Sequence, residues 1–158
     1  MPVLDHDRAR DFAETLRRDG RRVVFAYGVY DLLHPGHLRH LQAARDEGDA
    51  LIVAVRSDRS ARANRGPSRP VTPERERAEI VAALDSVDAA VIFDDPTPDA
   101  LIELIQPDIL AMGADRPVDE IVGQDTVEAR GGWVVRIPSE PRWSTKSIIE
   151  SIQRALKP

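Results

Sequence analysis

The chain has 158 residues, a formal net charge of −5, a sequence pI near 5.4 and no cysteine. That length suits one domain with its own core, the acidic balance argues against a broad nucleic-acid surface, and the missing cysteines exclude disulfides and thiolate chemistry. No apolar run is long enough to cross a bilayer, and the start from Met1 to Arg10 is too charged for a secretion signal, so a cytoplasmic location without membrane partners is expected.

Asp5 to Asp19 reads as a helix, with Phe12 and Leu16 four apart and Gly20 as its stop. A buried strand follows, about Arg22 to Tyr27, carrying Val23, Val24 and Phe25. It breaks at Gly28, and a helix restarts after His34. Pro35 suits the first helical position, where its missing N–H would have no partner anyway. Gly36 has no side chain, so a ligand could come close to the backbone. The free N–H groups and positive dipole end of a helix start form an anion site. His34 and His37 are three apart and can face the same side of that start. Structural roles and metal ligation are the competing readings. For metal the pair lacks partners, because the other histidines are only His6 and His40. A bound phosphate chain accounts for the proline, the glycine and both imidazoles together.

The helix after His34, with Leu38 and Leu41 on its apolar face, ends near Gly48, and Ala50 to Val55 is a second buried strand. This strand–helix–strand unit implies a parallel sheet with a right-handed crossover. Arg56 to Pro70, with five arginines, reads as a mobile basic connection. Thr72-Pro73-Glu74 reads as a capped helix start, continuing to about Leu84. Val87 to Phe93 is the third strand. Asp94-Asp95 after it reads as a solvated loop before Pro96 in preference to a metal site. Thr97-Pro98-Asp99 repeats the capped start, with a helix to about Gln106, and Asp108 to Met112 is the fourth strand. A short helix spans about Thr126 to Arg130, and Trp133 to Ile137 is the fifth strand. Trp133 reads as core or interface, and Trp143 as the better candidate for stacking on a ligand. Ser144 to Leu156 is the last helix, capped by Ser144 or Thr145.

The alternation predicts an α/β fold, a doubly wound, five-stranded parallel sheet, with residues 1–20 as an N-terminal helix and 21–156 as the core of a single domain. Ligands of such sheets bind beyond the carboxyl ends of the strands. The His34–His37 segment, the arginine-rich connection and the Gly113 loop should therefore share one rim.

The block from Gly28 to His37 (Gly-Val-Tyr-Asp-Leu-Leu-His-Pro-Gly-His) resembles the Gly-x-Phe-Asp-x-x-His-x-Gly-His signature of the cytidylyltransferase-like nucleotidyltransferases, Rossmann-like proteins with a His-x-Gly-His motif. The resemblance covers about Arg21 to Ile152. It implies joining of a nucleoside triphosphate to a phosphorylated small molecule with release of pyrophosphate. It also implies Mg²⁺ carried by the triphosphate and, as is common in the family, a homodimer. His34, His37 and Arg65 would be catalytic, as donors to phosphate. Nucleotide contacts would come from Tyr27, Gly28, Val29, Tyr30, His34, His37, Arg62, Arg65, Gly113, Asp115, Ser144 and Thr145. Arg69 and Arg77 would meet the substrate; for Arg77, pairing with Glu74 or Glu76 on an exposed helix face is the alternative. Asp31 reads as a structural turn residue, Asp115 as a ribose or base acceptor or a turn former, and Ser144-Thr145 as cap, triphosphate site or both.

Ser68-Arg69-Pro70-Val71, Asp119 to Gly123, Val127 to Gly132 and Ser144-Thr145 together resemble the adenylyltransferase branch of ADP-heptose synthesis. That branch transfers AMP from ATP to D-glycero-β-D-manno-heptose 1-phosphate, and in many bacteria it is fused to a sugar kinase, for which 158 residues leave no room. The chain departs from the branch at Ala26-Tyr27, where Thr-Asn is usual, and at Lys146, in place of a second threonine. Met112-Gly113 is more like glycerol-3-phosphate cytidylyltransferase, and Ser139 stands where the cytidylyltransferase pattern has an arginine. CTP-dependent transfer to glycerol 3-phosphate or another small phosphorylated alcohol or phosphonate is the second enzymatic reading. A nucleotide-binding module without catalysis is the reading from another class.

Overall fold

In a computed structural model, which describes residues 2–140 and 142–157, a two-residue strand β1 (Val3–Leu4) precedes helix α1 (His6–Arg18). Asp5 caps α1 by accepting from the Arg8 N–H at 2.8 Å. Ala9, Ala13 and Leu16 recur at helical spacing and are buried on the sheet. Strand β2 (Val23–Gly28), helix α2 (Pro35–Asp46) and strand β3 (Ala50–Arg56) follow as the expected parallel unit, registered Val23 to Ala50 through Gly28 to Val55. Residues Val23 to Ala26 and Leu51 to Val55 are wholly buried, which explains why both strands read as unbroken apolar runs.

The connection after β3 is not a mobile loop. Ser57 accepts from the Ser60 N–H and starts helix α3 (Asp58–Arg65), which ends at Gly66 with φ +89°. Ser60 and Ala61 are its buried face, so arginines dominate the exposed one. Helix α4 (Glu74–Ala82), strand β4 (Ala89–Phe93), helix α5 (Asp99–Ile105) and strand β5 (Ile109–Gly113) continue the alternation. Thr72 and Thr97 do not cap α4 and α5: Pro73 and Pro98 occupy the cap positions, and Thr97 Oγ1 donates to Asp99 instead (2.6 Å). Helix α6 (Gln124–Glu128), strand β6 (Trp133–Ile137) and helix α7 (Thr145–Ala155) complete the chain, with Ser144 and Ser147 forming a reciprocal capping box.

Among the described residues six strands, not five, form one parallel sheet in the order β1-β4-β3-β2-β5-β6. The sixth is β1, whose Val3 and Leu4 pair with Ala90 and Val91 and extend the edge beyond β4. Helices α1, α5 and α6 cover one face, where Phe25, Ile52 and Leu110 lie, and α2 and α4 cover the other, where Val24, Val53 and Ile109 lie. Trp133 is not core; it is 41% exposed at the start of edge strand β6. Strand order reverses at β2, which has β3 on one side and β5 on the other. The crevice of a doubly wound sheet therefore opens where Gly28 and Gly113 end their strands. No described helix is long and apolar enough to cross a membrane.

Candidate active site

His34 holds the cap position of α2 in extended backbone (φ −144°, ψ 166°), as a residue before proline should. Its carbonyl accepts from His37 N–H (2.9 Å) and Leu38 N–H (3.3 Å), closing the first turn. That turn brings the two imidazoles face to face, with ring centres 3.8 Å apart and planes 22° apart. Tyr30, itself buried with φ +52°, places its ring 5.4 Å from that of His37. Gly36 leaves room for this arrangement, since a side chain there would be tight. A Cβ there would sit 3.0 Å from His34 Nδ1 and 3.3 Å from the Cβ of Trp143. Trp143 thus packs against the motif and is not among the cavity-lining residues.

The Nδ1 atoms of His34 and His37 are buried without a hydrogen-bond partner among the described residues. Buried polar atoms normally have a partner, so these two nitrogens call for one. Burial lowers the pKa of both rings; for His37, with His34, His40 and Arg65 adding repulsion, the value falls to about 4. The pair is therefore neutral near pH 7 until an anion arrives.

His37 faces a cavity of about 940 Å³ at the carboxyl ends of the strands, with His34 stacked on its ring. Its lining brings together Tyr27, Gly28, Val29 and Tyr30 from the end of β2, His37 from α2, Arg65 from α3, Arg69, Asp115 from the β5 loop, and Thr145 from the start of α7. These are nine of the residues expected from sequence. Sequence reasoning did not select His40, Arg56, Asn64, Ser68, Arg116 and Lys146, which also line it. His40 had a usable signal, because it follows His37 at the same helical interval of three. Arg116 had none, since its placement depends on a loop folding back over Tyr27, where its guanidinium lies 5.6 Å from the ring centre.

Five expected residues lie off this lining; one is His34, which stacks on His37 but does not itself line the cavity. Gly113 is one step back, where a Cβ would fall 2.5 Å from Asp115 Oδ1; the carboxylate, not a ligand, uses the space. Ser144 is spent on the capping box, accepting from Ser147 N–H at 3.0 Å. Arg62 faces Asp58 at 3.8 Å. Arg77 is the clear correction: its side chain has no exposure and cannot reach a substrate. It donates to the Val29 carbonyl, to the Thr72 carbonyl (2.8 Å) and to Asp58 (2.8 Å), so neither Glu74 nor Glu76 is its partner. Asp31 has the structural role expected of it, accepting from the N–H groups of Val71 (2.7 Å) and Thr72 (2.9 Å) with Arg69 3.5 Å away. Asp94 likewise serves the protein, bonded to Ser57 and Arg59.

Residues 25–152 match the Cytidylyltransferase-like family. The chain is 47% identical over 136 residues to bifunctional protein HldE of Methylobacillus flagellatus, covering 86% of this chain and 28% of that protein. With bifunctional protein HldE of Syntrophotalea carbinolica it shares 48% over 143 residues, 90% of this chain and 29% of that one. The chain thus spans less than a third of the length of these relatives. Among solved structures, the lipopolysaccharide core biosynthesis protein of Thermoplasma volcanium superposes with a TM-score of 0.64 and 31% identity, covering 77% of this chain and 98% of that one. Pantoate-β-alanine ligase of Francisella tularensis, complexed with β,γ-ATP and β-alanine, gives a TM-score of 0.59 at 13% identity, over 97% of this chain and 77% of that one, a likeness of fold alone. With four-fifths of its length inside the match, the chain belongs to the cytidylyltransferase-like family of nucleotidyltransferases.

Proposed function

We propose that this chain transfers AMP from ATP to a sugar 1-phosphate, D-glycero-β-D-manno-heptose 1-phosphate being the acceptor that its resemblances favour. The observation that carries the reading is His37, stacked on His34 at the start of α2 and lining a cavity that also holds Arg56, Arg65, Arg69 and Arg116. An oxygen of the acceptor phosphate attacks the α-phosphorus of ATP. The bond from the α-phosphorus to the bridging oxygen breaks, and pyrophosphate leaves with that electron pair. The attacking phosphate is already ionised, so no general base is needed; catalysis consists of holding two anions together and stabilising the charge that builds between them. His34 and His37 act as donors to the phosphoryl oxygens, with Arg65 and Thr145 also on the cavity lining. Asp115 is the ribose or base contact of this reading.

Mg²⁺ is assigned to the nucleotide. Among the described residues no three histidine or carboxylate groups come together as a metal site. Asp31 and Asp115 are the carboxylates of the lining, and Asp31 is already occupied by two N–H groups and Arg69. The phosphates themselves would then hold the ion and lose part of their repulsion to it. We likewise assign the chain to a homodimer, on resemblance alone.

The likeness to the HldE proteins and to a lipopolysaccharide core biosynthesis protein supports adenylyl transfer to heptose 1-phosphate. Met112-Gly113 favours a second reading, CTP-dependent transfer to glycerol 3-phosphate. Pyrophosphate release measured with ATP and with CTP, against heptose 1-phosphate and glycerol 3-phosphate, separates them. ATP with the heptose is the expected pair; CTP with glycerol 3-phosphate would overturn the branch. Nucleotide binding without turnover on either acceptor would favour a non-catalytic module.

A further inference from the structure

Most arginines near the cavity already have a carboxylate partner: Arg59 has Asp94, Arg62 and Arg77 share Asp58, and Arg69 has Asp31. Arg56, Arg65 and Arg116 line the cavity and make no ion pair among the described residues. They repel one another: burial first, then Arg116 and Arg65, hold the Arg56 pKa below its ordinary value. Asp115, the nearby carboxylate of the lining, faces His40 instead. Arg65 stands with the His pair, which it also repels, but Arg56 and Arg116 do not.

Arg56 and Arg116 converge on Tyr27. Arg116 lies over the Tyr27 ring at 5.6 Å. Arg56 lies over Phe93 at 5.0 Å, and the Phe93 ring stands edge-on to Tyr27 at 6.4 Å. Tyr27 is 8% exposed and lines the cavity, and its hydroxyl has no hydrogen-bond partner among the described residues. Burial keeps that hydroxyl protonated, against the opposing pull of the two arginines and of the nearby Val122 N–H, a donor that still leaves the hydroxyl's own proton without an acceptor. Tyr27 belongs to the face of the sheet covered by α1 and α5, whereas Tyr30 and α2, with His37 packed on Tyr30, belong to the other. The cavity thus holds two centres of positive charge, one on each side of the end of β2.

The geometry points to Tyr27, Arg56 and Arg116 as a second anion subsite, which receives the phosphate group of the acceptor while the first centre holds the triphosphate. This rests on the transferase reading, because two anions must share the cavity for that reaction. Arg56 is anchored by bonds from one nitrogen to Ser60 Oγ and the Pro96 carbonyl, both 2.8 Å, so it presents a fixed charge. Arg116 is exposed and closes over the phosphate from the β5 side. The Tyr27 hydroxyl finds its missing acceptor in a phosphate oxygen when Arg116 shifts toward that group.

Equilibrium dialysis of labelled inorganic phosphate, on the full chain saturated with the α,β-methylene analogue of ATP, reads this subsite without turnover. Phosphate should still bind. Arg116→Gln and Tyr27→Phe should each weaken it by about tenfold, the loss expected for a hydrogen bond or contact to a charged group. Nucleotide affinity should stay within about twofold in Arg116→Gln. Arg116 is exposed and phenylalanine keeps the Tyr27 ring, so both variants should fold; matching melting curves check this. Phosphate that fails to bind beside the nucleotide, binds the variants as well as the parent, or is lost in step with nucleotide affinity would overturn the proposal. If the nucleotide does not bind at all, the transferase reading fails first, and phosphate titrated onto the His37→Ala chain still reads the subsite by the same two variants.

Discussion

His37 carries both the local chemistry and its pH dependence. Its pKa is about 4 while the cavity lacks an anion, because burial first, and then repulsion from His34, His40 and Arg65, oppose its charge. A phosphate placed against the ring reverses the balance and raises that pKa. Nucleotide binding should therefore take up protons, and affinity should rise as pH falls toward the free-state value of about 4. Calorimetry in buffers of different ionisation enthalpy measures the uptake; proton-neutral, pH-independent binding would contradict it. His34→Ala or His37→Ala should lower turnover by about a hundredfold or more while nucleotide affinity changes far less. Equal turnover in the variants would remove the pair from the chemistry. The pair was legible in the sequence because its geometry is local: one helix start and an interval of three place both rings. Arg77 was not legible. Its distance in sequence from Val29 and Asp58 hides a buried knot that only packing reveals.

That knot ties together the β2–α2 connection, α3 and the segment leading into α4. Arg77→Met should cost about 3 kcal/mol of global stability, because it leaves Asp58 and two carbonyls without their donor; denaturant unfolding measures it, and a change below about 1 kcal/mol would show that the knot is slack. Helix α7 should respond differently. It has no buried residue, so it stands mainly on its capping box. Ser144→Ala should remove about 1 kcal/mol of local helix stability, seen as faster amide exchange across Thr145–Ala155, while the global melting point barely moves. A coupled fall in both would mean that α7 is packed more firmly than its exposure implies. The long strands β2 to β5 were readable because burial on both faces leaves an apolar run in sequence. Two elements escaped. Two residues are too few for β1 to show a pattern, and its pairing with Ala90 and Val91 decides it. The arginines drew attention away from Ser57-Asp58, a cap and an acid that mark the start of α3.

At the level of the whole chain, the alternation of strands and helices determined a parallel doubly wound sheet and hence a single rim for the functional loops. The rim holds what the order of strands requires: β2 at the point of reversal, β3 and β5 on either side, and each delivering its loop to one cavity. What remained hidden was the division of charge within it. The five arginines from Arg56 to Arg69 look alike in sequence, and only the folded positions of Asp31, Asp58 and Asp94 show which are paired. The most direct test is diffraction from crystals soaked with the α,β-methylene analogue of ATP and Mg²⁺. The triphosphate should lie against the start of α2 with an α- or β-phosphate oxygen within hydrogen-bond reach of the His34 and His37 rings. Nucleotide density elsewhere on the chain, with those two rings free of phosphate, would contradict the account.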